Sequence, residues 1–99
     1  MSQASNQLPI PPDAVSDTES SEIVRAWIVN GGLQCSLRIG IWKDIRSWGI
    51  LLADIAKYVA DARAKEGGFD RNETIGLIRK MFNIEIDNPT CESEGGYVA

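Results

Sequence analysis

The 99-residue chain contains no histidine. That removes the commonest general base at neutral pH, the commonest metal ligand and every nucleophile that histidine activates. Cysteine is scarce: Cys35 sits in an alternating apolar run and Cys91 in a polar tail, without the spacing of a disulfide framework or a zinc site. Cys35 reads as a buried small hydrophobe, the usual lot of a free cysteine. Long apolar runs are missing too. The longest, residues 48–53, falls far short of the roughly 20 residues a membrane helix needs. Residues 1–7 carry no positive charge and no useful apolar segment follows, so no export signal is read. A cytoplasmic protein without a membrane partner is expected.

Concentrated positive charge is also lacking. The formal net charge is −4, and the acidity lies in the tails: Asp13, Asp17 and Glu19 before residue 22, Glu92 and Glu94 after residue 88. Between them the ten bases face nine acids. Such a near-neutral body offers none of the field that non-specific nucleic-acid binding relies on, which argues against duplex DNA or RNA as a partner. The glycine pairs Gly31-Gly32, Gly67-Gly68 and Gly95-Gly96 fit neither GxGxxG nor a P-loop. No cofactor is expected, and a dehydrogenase or thiamine-diphosphate reading finds no motif to support it.

What is present is an ordinary globular composition. A hydrophobic fraction of 43% is too high for a wholly disordered chain, and the length allows one domain. Residues 1–21 are rich in Ser, Asp, Gln and Pro and read as a flexible tail, with a strap at residues 8–12 carrying Leu8 and Ile10. The spacing of Pro9 and Pro12 also matches a short polyproline ligand, a pattern common by chance. Residues 22–88 form the domain and residues 89–99 a flexible acidic tail.

At Glu22 the pattern turns β-branched and aromatic. The run ends at Asn30-Gly31, and a second run alternates with Leu33, Cys35, Leu37 and Ile39 on one face. Asn-Gly between two such runs predicts a hairpin with a type I′ turn. With those turn residues, Ile28 faces Leu33, Ala26 faces Cys35 and Val24 faces Leu37 on the core side. Ile23, Arg25, Trp27, Gln34, Ser36 and Arg38 share the outer face. A three-residue loop with a bulge would instead turn Trp27 inward.

Asp44 reads as a helix cap before the apolar stripe Ile45, Trp48, Leu52, Ile55, Val59 and Ala62, which Gly67 and Gly68 end. Trp42 is expected to seal the joint between hairpin and helix, and Trp48 to lie in the core. Asp70 and Glu73 are spaced as a capping box ahead of Ile75, Ile78, Met81 and Phe82. The fold class is α+β, two-layered, with a hairpin packed on a long and a shorter helix. Two strands make a poor sheet. A third strand from the strap or from residues 84–86, or a homodimer pairing hairpin edges, is expected to complete it.

The strings Ile10-Pro11-Pro12-Asp13-Ala14, Arg25-Ala26-Trp27, Gly31-Gly32-Leu33, Ser36-Leu37-Arg38, Trp42-Lys43-Asp44 and Trp48-Gly49-Ile50-Leu51-Leu52-Ala53-Asp54, in that order, resemble an uncharacterised bacterial family of roughly 100-residue proteins classed as a domain of unknown function. The resemblance runs from Ile10 to about Phe82. Where the family favours proline after the cap aspartate, this chain has Ile45. The resemblance implies a bacterial protein and carries over no catalytic or cofactor-binding residue.

No catalytic residue is assigned from the sequence. Arg25, Trp27, Gln34, Ser36 and Arg38 form the candidate binding face, since Trp and Arg dominate interface energetics. Such a patch also suits a stacked single-stranded base, and the plainer reading is that helix, strap or a twin subunit covers Trp27. The expected function is a small non-enzymatic interaction or accessory module with an unidentified protein partner. The alternative is a metabolite binder or enzyme using carboxylates, such as Asp54 and Asp61 on one helix face, with Cys35 in a dimer cleft.

Overall fold

The computed structural model describes residues 6–89 and 95–99. Its elements are α1 (Pro12–Ser16), β1 (Val24–Val29), β2 (Gly32–Leu37), α2 (Arg46–Glu66), α3 (Arg71–Asp87) and β3 (Gly96–Val98), an α+β fold.

The hairpin forms in the register that the Asn30-Gly31 turn demands. Val24 pairs with Leu37, Ala26 with Cys35 and Ile28 with Leu33. Asn30 has φ 51° and Gly31 φ 80°, positive at both central positions as a type I′ turn requires. The third strand comes from neither of the expected segments. It is β3, from the C-terminal tail, parallel to β2 with Gln34 opposite Gly96, Cys35 opposite Tyr97 and Ser36 opposite Val98. Gly95 passes so close to the Leu33 carbonyl that no Cβ fits there. Residues 84–86 belong to α3 instead. The edge of β2 is therefore occupied within the chain, and β1 is left as the hairpin's outer strand. Residues 12–16, expected to be tail, form the single turn α1, with Pro12 at a position where its missing N–H is harmless.

At the joint, Trp42 meets Trp48 edge to face, ring centroids 5.5 Å apart. Asp44 accepts the Arg46 backbone N–H at 2.9 Å and a forked pair from its guanidinium, Nε at 3.0 Å and Nη2 at 2.8 Å. The Arg46 guanidinium, and then its backbone N–H, hold the exposed Asp44 carboxyl below its ordinary range. Helix α2 ends at Gly67, φ 92°.

Helix α3 is capped as its sequence spacing requires, the Glu73 N–H donating to Asp70 Oδ2 at 2.8 Å. Replacing Asp70 with Ala removes that acceptor and should destabilise the chain by about 1 kcal/mol. Urea titration of D70A against wild type measures it, and an unchanged midpoint would show that the cap contributes nothing. The two helices fold back on one another around Ala60, the one fully buried apolar side chain among the described residues. Asp61 on α2 also pairs with Arg71 on α3.

Layering is where structure and sequence part. No strand has a Cα within 8 Å of a Cα in either helix. The inner sheet face, expected to be core, is open: Ile28 is 74% exposed and Leu33 51%. The α2 stripe is open as well, with Leu52, Ile55 and Val59 each more than 40% exposed, and Trp48 is only half-buried. The accessible surface is 8472 Å², against about 5,600 Å² for a compact monomer of this mass. The radius of gyration is 15.6 Å, against about 12.6 Å for a compact chain of this length. Alternation and helical stripes specify which faces are apolar, but not that they meet inside one chain.

Candidate functional site

The outer sheet face gathers all five residues of the expected patch. Because β1 and β2 pair without a bulge, Arg25 lies opposite Ser36 and Trp27 opposite Gln34, with Arg38 two residues beyond Ser36. Period two puts them on the face away from Cys35. Val98 of β3 joins them, opposite Ser36 and 66% exposed. Glu22 organises the two arginines. Its carboxylate accepts from Arg25 Nε at 3.2 Å and its carbonyl from Arg38 Nε at 2.9 Å. The Arg38 backbone N–H also donates to Ile23 O at 3.0 Å, closing the open end of the hairpin.

Trp27 is half-buried, whereas Arg25, Gln34, Ser36 and Arg38 are exposed. It borders a hollow of about 800 Å³ between the N-terminal segment and β1, lined also by Leu8, Ile10 and Val15. The strap thus runs beside β1 without seating its side chains: Leu8 is 91% exposed and Ile10 63%. Chemically the patch offers an indole, an amide, a hydroxyl and two guanidinium groups. Groups of these kinds act by stacking, hydrogen bonding and charge, and they do not form a nucleophile with its base.

A second feature lies on the helices. Leu52, Ile55 and Val59 of α2 face Ile75, Ile78 and Phe82 of α3 across a groove of about 440 Å³, rimmed by Lys57 and Arg79. The sequence identified both stripes but assigned them to the core, so this groove was missed as a surface.

The residues held in reserve for chemistry are dispersed. Asp61 is engaged by Arg71, leaving Asp54 without it as a paired carboxylate. Cys35 is half-buried on the inner face, away from both arginines. Cys91 lies outside the described residues. Among the described residues no three Cys, Asp or Glu side chains converge as a metal site, and no helix is long and apolar enough to cross a membrane.

A family model described as a domain of unknown function, DUF5076, matches residues 7–90. The chain belongs to that family. This agrees with the resemblance carried by the residue strings. Among solved structures, the chain is similar to one from Rhodopseudomonas palustrus CGA009 provisionally described as a pyruvate dehydrogenase. Identity is 33%, the TM-score 0.68, and the match covers 88% of this chain and 89% of that one. No curated protein matches. The DUF5076 region takes in the hairpin, both long helices and the five patch residues on β1, on β2 and just after it, and stops short of β3 with Val98.

Proposed function

We propose that this DUF5076 chain is a non-catalytic interaction module that binds a protein partner through the outer face of its hairpin. The observation that carries this reading is the patch itself: a half-buried Trp27 in a rigid pairing register, with Arg25 and Arg38 tethered to one residue, Glu22. Large aromatics with arginine beside them supply most of the energy of protein interfaces, and fixing them beforehand lowers the entropy lost on binding. The dehydrogenase description of the Rhodopseudomonas protein is not extended to this chain, whose glycine pairs serve a turn, a helix end and the entry to β3.

The test is Trp27→Ala in the full chain, used as bait beside wild type on lysate of the source cell. A partner retained by wild type should be lost at least tenfold from the variant. Far-UV circular dichroism should be unchanged, because Trp27 is not a core side chain of the helices. Identical retention by both baits would sink the proposal.

A further inference from the structure

We infer that a second copy of this chain completes the fold, each copy laying its α2–α3 groove on the inner sheet face of the other. This concerns the sheet face opposite Trp27 and stands independently of the reading above. Two apolar faces are exposed in one chain. The sheet offers Ile28, Leu33, Cys35, Leu37 and Tyr97 on one side; Leu52, Ile55, Val59, Ile75, Ile78 and Phe82 line the groove. A helix pair and a sheet, each apolar on one side, bury those sides against one another in two-layer domains. Here each face lacks the lid that the other is.

Within one chain the two faces stay apart: no strand has a Cα within 8 Å of a Cα in either long helix. Trp42 packed on Trp48, and Asp44 forked onto Arg46, order the entry into α2. A twofold dimer brings the faces together, and its interface is self-complementary because each chain contributes one sheet and one groove.

Area points the same way. The chain exposes roughly 2,900 Å² more than a compact monomer of its mass, the N-terminal segment accounting for a share. Stable dimers bury on the order of 800 Å² per partner, and obligate ones upward of 1,000 Å². The surplus covers such an interface with the N-terminal share left over. A stranger protein would need both a groove and a sheet face of matching size, which a second copy already has.

The experiment uses the wild-type full chain. Sedimentation equilibrium should give twice the 10.9 kDa chain mass. In a dimer assembled from ¹³C-labelled and unlabelled copies, isotope-filtered spectra should show contacts from the methyls of Ile28, Leu33 and Leu37 to those of Leu52, Ile55 and Ile78 across copies. In addition, Ile28→Asp and Ile78→Asp should each weaken dimerisation at least tenfold. Mixing the two should restore it in part, because the mixed dimer keeps one undamaged sheet-groove pair. A monomer at every concentration overturns the inference. So does a dimer with only helix-to-helix or edge-to-edge contacts between copies, or an Ile28→Asp variant that dimerises like wild type. Loss of partner capture in the Trp27→Ala bait leaves these results unchanged, so the two proposals fail separately.

Discussion

Ala60→Leu is expected to lower the urea midpoint of the chain by roughly 1 M. Ala60 has no exposed surface, and α3 is the element that contacts α2. Three extra carbons there must push the helices apart or force a strained rotamer, and overpacking of that kind costs about 1–3 kcal/mol. With a urea slope of the usual size for a small domain, on the order of 1–3 kcal/mol per molar, the midpoint shift is large enough to measure directly. Ala62→Leu is the control, since Ala62 is exposed on the same helix and leucine is nearly as good a helix former as alanine. If both variants unfold at the wild-type midpoint, Ala60 is not the pivot of the helical hairpin.

Gly31→Val should lower the thermal midpoint by about 10 °C. A Cβ at Gly31 meets no atom within 4 Å, so space is not the issue. The obstacle is the backbone: φ is 80°, where a β-branched side chain is a steric outlier. Holding an L-residue in that region costs about 1–2 kcal/mol, and more with branching; for a chain of this size each kcal/mol moves the midpoint by roughly 4–8 °C. Gly31→Asn should be much milder, because asparagine tolerates the left-handed region. Calorimetry on the two variants decides it. Equal effects from Val and Asn would mean that the turn conformation is not what the substitution disturbs.

How much of this could be read from the residues follows from how local each signal is. Asn30-Gly31 fixes the hairpin register, and with it the membership of the outer face, because period two leaves no freedom once the turn is set. Three of the four limits of the long helices were close to legible, but α2 starts after an exposed Ile45 with no side-chain cap, where the sequence pointed to Asp44 as the cap. Gly67-Gly68 ends α2, and Asp70 with Glu73 starts α3, through contacts that span three or four residues. By contrast β3 is three residues long, with glycine before and within it, too short for any periodicity. Its position beside β2 depends on residues more than 60 positions away. The pairing puts Trp27 on the face that the turn implied, yet no local spacing encodes that the N-terminal segment borders the same hollow. The apolar stripes were recognised but not what covers them: a hydrophobic pattern states that a face will leave water, without naming the surface that excludes it.

The parallel placement of β3 also gives β2 two sides of unequal permanence. The Arg38 N–H bonds to Ile23 O, so by alternation the amides of Gln34 and Ser36 point toward β1, and those of Leu33, Cys35 and Leu37 toward β3. The first side is closed by a two-residue turn. The second is closed only when a segment some 60 residues distant returns, a loop whose closure costs more entropy and whose strand has few bonds with which to offset it. β3 is therefore expected to dock late in folding and to detach early, at a free energy below that of global unfolding. Hydrogen exchange along this one strand should accordingly alternate, residue by residue, between slow and fast.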